Sequence, residues 1–381
     1  MLLIANAAAL EPSGRFRSGQ DILINNGKIA AVGQHLPAEG CEVLDAEGAF
    51  VTPGLIDAHC HVGLLEDSAG SAGDDVNEIG DPVTPQLRAV DGINPRDRAF
   101  RDALEAGVTT VVTGPGSANV IGGQFCAVKT AGSALEEMLL LAPAAMKVAF
   151  GENPKRIYGE KGLAPVTRMA AVSLLRQALS QARQYQRKLE YAGSEAELPE
   201  SDAKCEALLP ALRGELPLKI HAHRADDIQT AIRVAEEFGL RYTIDHCTEG
   251  YLMPETLKKH GVRCVLGPLL MGHPKLEMQN LSWKSAAVLE QAGIEFAFGT
   301  DHPEVPVSML SATAAVCVRE GLSEAAAMRA LTAGAAKLCG LSDRVGTVEA
   351  GKDADLVIFR GHPLDLRSRP ACVLVNGRRE I

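Results

Sequence analysis

The chain has 381 residues, 38 basic and 48 acidic side chains for a formal charge of −10, and a 46% hydrophobic content. That length allows one large α/β domain or two units, and the hydrophobic share excludes global disorder. The acid excess argues against nucleic-acid binding as the main activity.

Nine cysteines occur without a CxxC pair. Zinc ribbons and redox dithiols therefore gain no support, and buried free thiols in a reducing cytoplasm are expected. The opening stretch MLLIANAAALEPSG is apolar but lacks a basic n-region and runs into strand-like sequence. A first β-strand is expected there rather than a signal peptide. No run approaches the roughly 20 apolar residues needed to span a bilayer, so no membrane partner is expected.

Residues 1–52 read as short strands with turns, and ILINNGKIAAVG carries the Asn-Gly sign of a tight hairpin. Residues 345–381 have the same texture, with a second turn at Asn376-Gly377. Neither end is long enough to bury a core alone. One small β-domain assembled from residues 1–52 plus 345–381 is the economical reading. Residues 53–344 alternate strand and helix, from GLIDAHCHVG through VTTVVTG, AAMKVAFG, LKIHAH, RYTIDHC and GVRCVLG to IEFAFGTD. DDIQTAIRVAEEFG between two of these reads as an amphipathic helix ended by Gly239. This rhythm implies parallel strands with crossover helices. Eight such units close a TIM barrel of about 250 residues. No GxGxxG opens a helix after the first strand, which disfavours a dinucleotide-binding open sheet.

The strongest local pattern is His59-Cys60-His61 at the end of an apolar strand. Alternate strand residues share a face, so both imidazoles can grip one ion. A pair of loop histidines would explain this motif alone, but the pattern recurs. IHAH ends a strand with His221 and His223, TIDHC ends the next with His246, and AFGTDH ends the last with Asp301 and His302. In a parallel barrel all strand C-termini open on one face, so these residues converge. Imidazole and carboxylate donors suit zinc, manganese or iron.

With those residues in place, the chain resembles the amidohydrolase superfamily, in its imidazolonepropionase-like and prolidase-like branch. VTPGLIDAHCHVG, IHAH, DHC, GTDHP and the tail LTAGAAKLCGLSDRVGTVEAGKDADLVIF carry the resemblance over nearly the whole chain. It implies a (β/α)8 barrel bearing the metal, with a composite β-sandwich from both termini. It makes His59 and His61 the first-strand ligands, His221 the fifth-strand ligand, His246 the sixth and Asp301 the eighth-strand carboxylate that also shuttles a proton. His221 and His223 project to the same side, so either can be the ligand; His221 is taken, with His223 as a catalytic group toward substrate. Lys147 matches the lysine that, carboxylated, bridges two metals in binuclear members. One or two divalent ions are implied, zinc foremost, with manganese or iron as alternatives. Family deaminases and imidazolonepropionase itself often carry a Glu three residues after the fifth-strand His. Here that position is Arg224, which leans toward two-metal hydrolysis.

The expected reaction is hydrolysis of a C–N bond in an amide, cyclic amide, N-acyl amino acid or dipeptide. A metal-activated water attacks, and Asp301 moves its proton. Substrate-reading groups come from strand-to-helix loops. Candidates are Asn119 and Gln124 in GPGSANVIGGQ, then Lys155, Arg156 and Tyr158 in FGENPKRIYGEKG, with His273 and His302 near the mouth. A small-molecule substrate is the expected partner, and assembly into a homo-oligomer is left open. The alternatives are a deaminase on the same barrel and a scaffold that has lost catalysis; the full ligand set disfavours the latter.

Overall fold

In the computed structural model, which describes residues 1–66 and 70–381, the strands fall into two eight-stranded sheets. In chain order they are β1 (Leu2–Leu10), β2 (Phe16–Asn25), β3 (Lys28–Gly33), β4 (Glu42–Asp45), β5 (Phe50–Pro53), β6 (Leu55–Cys60), β7 (Val108–Thr113) and β8 (Ile121–Lys129). There follow β9 (Leu139–Ala149), β10 (Leu218–Ala222), β11 (Tyr242–His246), β12 (Cys264–Leu266), β13 (Phe296–Phe298), β14 (Leu356–Phe359), β15 (Pro370–Val375) and β16 (Arg378–Arg379).

Both ends of the chain build the first sheet, in the order β16-β15-β14-β5-β1-β2-β3 with β4 paired to β1. Its hairpin between β2 and β3 turns on Asn26 (φ 50°) and Gly27 (φ 77°), the left-handed pair that a two-residue turn demands. Alternate residues Ile4, Ile22, Ile24, Val51, Leu356 and Leu374 share one core on it. All eight strands belong to one hydrogen-bonded sheet, so its pairing does not display two stacked layers of a sandwich.

The second sheet runs β6 through β13 in sequence order and curls nearly into a barrel. One feature departs from the expected (β/α)8 pattern. β8 is antiparallel to both β7 and β9, while the other neighbours are parallel. Only residues 114–120 link β7 to β8. A parallel return needs a crossover of a dozen or more residues, so a short link forces the antiparallel course. The barrel is TIM-like with one reversed strand.

Its two ends meet beyond β13. Asp301 N–H donates to the His59 carbonyl at 2.9 Å and His61 N–H to the His302 carbonyl at 3.0 Å. Gly299 lies so close that a Cβ there would stand 2.9 Å from the His59 Cβ. The Asp57 carboxylate adds bonds from the Thr300 N–H and hydroxyl. The sheets are joined by Lys129 of β8, which is buried and donates to Asp353, Asp355 and Asn376 of the terminal unit. Among the described residues no helix is long and apolar enough to cross a membrane.

Candidate metal centre

The strand ends deliver the site. His59 lies near the end of β6 and His61 just past it; His221 lies on β10 and His223 just past it; His246 closes β11, and Asp301 follows β13. Lys147, on β9, pairs in register with Lys219 of β10. Asp245 and His246 are consecutive, yet both face the centre. His246 manages this in left-handed backbone (φ 70°), and Asp301 does the same (φ 55°). Such backbone costs a non-glycine residue on the order of 1–3 kcal/mol and concentrates at functional sites.

Two groups emerge whose ligand atoms all lie within 4.8 Å of one another: His221, His223 and His246, and His59, His246 and Asp301. Asp301 Oδ1 is 3.2 Å from His61 Nε2 and 3.4 Å from His59 Nε2. The Lys147 amine, fully buried, is 3.2 Å from His59 Nε2.

Four imidazoles are held by their Nδ1 atoms. His59 bonds Asp245 Oδ2 at 2.6 Å, His61 the Gly114 carbonyl at 2.7 Å, His246 the Gly267 carbonyl at 2.6 Å, and His223 the Thr248 hydroxyl at 2.7 Å. For His59, His61 and His246, whose partners only accept, this fixes the tautomer so that Nε2 is the atom left for a ligand's task, whereas the Thr248 hydroxyl can donate to or accept from His223. Among the described residues His246 Nε2 and both nitrogens of His221 have no hydrogen-bond partner. Buried polar atoms are rarely left so, and unpartnered imidazole nitrogens beside a carboxylate are the donor set a transition metal requires.

Burial dominates the electrostatics. It holds His221 and His246 well below the usual imidazole range, brings His223 down to about 4, and lowers His59, where the Lys147 charge adds to it. Neutral imidazole is the metal-binding form. Burial also lowers the Lys147 amine to about 8 and pushes the Asp57 carboxyl up to about 7. For Asp301 and Asp245 burial acts upward but is outweighed. His246, His59 and His61 hold Asp301 well below the carboxylate range, and Lys219 and His59 do the same for Asp245.

The centre opens into a cavity of about 250 Å³ that exposes His61, His221, His223 and Asp301. Of the expected substrate groups, Arg156 lines it. The others lie elsewhere. Asn119 is buried and donates to the Glu78 and Asp81 carbonyls and the Thr84 hydroxyl, bracing a loop. Gln124 bonds the Pro85 carbonyl beside a separate small cavity. Tyr158 is fully buried in the helix Glu152–Gly159, and the buried His302 accepts from Val307 N–H. Arg224 pairs with Asp226 at the surface.

Sequence reasoning missed Asp245, Lys219, Glu277 and Lys275. Lys219 had a signal, since it precedes His221 by two strand positions and so shares its face, whereas Asp245 had none, since alternation puts it opposite its neighbour His246. Glu277 and Lys275 sit in the long connection after β12, where no periodicity reports position. Lys275 lines the cavity and donates to Asn153 Oδ1 at 2.9 Å.

Comparison with known proteins agrees with this geometry. The amidohydrolase family's sequence profile matches residues 50–380. An amidohydrolase from Thermotoga maritima MSB8 superimposes with a TM-score of 0.97 at 42% identity, covering 100% of both chains. The amidohydrolase tasK of Hapsidospora irregularis is 30% identical over 94% of this chain, which spans 39% of that relative's length. The imidazolonepropionase of Maricaulis maris is 26% identical, over 88% of this chain and 86% of its own. The profile covers the whole barrel and most of the C-terminal strands, and the chain belongs to the amidohydrolase family of hydrolases acting on carbon–nitrogen bonds.

Proposed function

We propose that this chain hydrolyses the amide bond of a small N-acyl amino acid, dipeptide or cyclic amide, with one or two divalent transition-metal ions, zinc foremost. The observation that carries the reading is the convergence of buried, unpartnered imidazole nitrogens with Asp301 at the floor of an open cavity. His59, His61 and Asp301 would hold one ion, His221 and His246 a second, and Lys147 as its carbamate would join the two. Bound there, a divalent metal supplies an activated water and polarises the scissile carbonyl.

The chain's own residues do the rest. Asp301, beside His59 and His61, takes a proton from the attacking water and delivers it to the leaving nitrogen. His223 faces the cavity, where it stabilises charge developing on the carbonyl oxygen. Lys275 and Arg156 on the cavity wall suit a substrate carboxylate, and Ile157, Met271 and Met278 suit an apolar side chain. Residues 53–344 form the catalytic unit in this reading, and residues 1–52 with 345–381 brace it. All nine cysteines are free, which supports a cytoplasmic setting.

The test is a screen of N-acyl amino acids, dipeptides and lactams against zinc-loaded protein, scoring amine and ammonia release separately. Amine release that disappears in the double variant His59→Ala, His61→Ala supports the proposal. Ammonia release from aminopurines would favour a deaminase instead, and turnover undiminished in the double variant would sink metal-dependent catalysis.

A further inference from the structure

Glu277 sits on the helical turn Leu276–Met278, in the connection between β12 and β13. Its side chain is 1% exposed. One carboxylate oxygen, Oε2, accepts the Glu152 backbone N–H at 2.9 Å. The other, Oε1, has no hydrogen-bond partner among the described residues. Room for the group is built into the fold: at Gly151 a Cβ would come within 2.6 Å of Glu277 Oε2.

The free oxygen faces two imidazoles. Glu277 Oε1 is 3.8 Å from His223 Nε2 and 3.9 Å from His221 Nε2. Both separations exceed a hydrogen bond of about 2.7–3.2 Å. Both are shorter than two metal–ligand bonds laid end to end, about 4.2 Å for zinc with nitrogen and oxygen donors. His223 has its Nδ1 committed to Thr248, so Nε2 is the atom it presents to Glu277. His221 has neither nitrogen engaged in a hydrogen bond. A buried carboxylate oxygen with no partner is costly, and a shared cation is what removes the cost for all three groups.

We propose that Glu277 is a metal ligand, which joins the His221, His223 and His246 group in holding the second ion, a transition metal of the zinc class. This rests on reading the barrel mouth as a metal centre. It adds a carboxylate donor from the connection after β12 and makes His223 a ligand in place of a group that stabilises the carbonyl oxygen, since Nδ1 is held by Thr248 and Nε2 is then taken by the ion.

Metal stoichiometry and affinity test it independently of turnover. Metal-free wild type, Glu277→Gln, His223→Ala, the pair of these combined, and His59→Ala with His61→Ala would each be titrated with Zn²⁺ against a chromophoric chelator. Visible spectra of the Co²⁺-loaded proteins would be recorded alongside. Wild type should bind two equivalents. Glu277→Gln and His223→Ala should each lose one equivalent, or weaken it at least 100-fold, with an altered Co²⁺ band. Combining them should lose no further metal, whereas the His59 and His61 double variant should lose the other equivalent.

Thermal melts of the metal-free variants establish folding, and His223→Ala reads the same site from another element if Glu277→Gln fails to fold. Two equivalents bound with wild-type affinity in a folded Glu277→Gln overturn the proposal, and so does the same result in His223→Ala where Glu277→Gln fails to fold. A single wild-type equivalent, kept in Glu277→Gln and lost only with His59 and His61, overturns it too while leaving the hydrolase reading standing. Wild type that binds no metal overturns both.

Discussion

Asp245 and His59 share a 2.6 Å hydrogen bond between the sixth and first strands of the barrel. The same carboxylate takes the Lys219 ammonium at 2.9 Å, and Lys219 in turn donates to the Ala58 carbonyl. Asp245 therefore sets the tautomer and ring angle of a candidate ligand without facing the substrate cavity. Asp245→Asn should weaken metal binding about 10–100-fold, the usual cost of losing such an orienting partner. It also leaves Lys219 buried beside a neutral group, so the metal-free protein should lose about 3–5 kcal/mol of stability. Metal titration and chemical denaturation of the two proteins check both; unchanged affinity would show that Asp245 only balances Lys219.

Lys147 is the second test. A fully buried amine 3.2 Å from His59 Nε2 is an expensive way to fill a core position. If it bridges two ions as a carbamate, Lys147→Met should lose one metal equivalent and at least 100-fold in kcat, with the fold intact. Native mass spectrometry from bicarbonate buffer should show wild type heavier by one CO₂. Wild-type kcat in Lys147→Met would make the lysine structural.

Lys275 carries the specificity prediction. Its amine lines the cavity and is steadied by Asn153, which itself donates to Ser117. Lys275→Met should raise KM about tenfold, roughly 1.4 kcal/mol, for substrates with a free carboxylate, leaving kcat nearly unchanged. C-terminally amidated substrates should show no such penalty. An equal loss on both classes would remove Lys275 from carboxylate recognition.

The joint between the two sheets predicts acid sensitivity. Asp353 is buried against Lys129 and also pairs with Arg344 and Lys28. Burial acts to raise its carboxyl, but Arg344, Lys28 and Lys129 outweigh it and hold the group well below its ordinary 3.8. The unfolded chain thus takes up this proton at a higher pH than the folded one. The stabilisation is whole above about pH 4 and is lost as pH falls below that toward the folded value. Asp353→Asn should cost about 3 kcal/mol at pH 7, since Lys129 keeps Asp355, and its deficit should shrink below pH 4. Denaturant midpoints from pH 7 to pH 3 measure this; a constant deficit would contradict it.

Much of this protein is legible in the chain alone. Strand alternation placed His59 with His61 and His221 with His223, because a period of two puts i and i+2 on one face whatever surrounds the strand. Asn26-Gly27 and Asn376-Gly377 marked hairpins because only such pairs tolerate two consecutive left-handed residues; the second joins β15 to β16. The ordered motifs, from the first-strand histidines to Asp301, pointed to a metal site and carried the resemblance to the amidohydrolase superfamily, and it was the resemblance that implied a hydrolase. Loop groups such as Asn119, Gln124 and Tyr158 were not decidable, since a polar residue in a loop can brace backbone as readily as face a cavity. Only the tertiary structure decided that β8 runs backwards, that Asp245 steers His59, and that Glu277 meets His221 and His223. Each depends on distances between segments far apart in sequence, which local periodicity does not encode. Local pattern determines which face a side chain takes, and packing determines what that face meets.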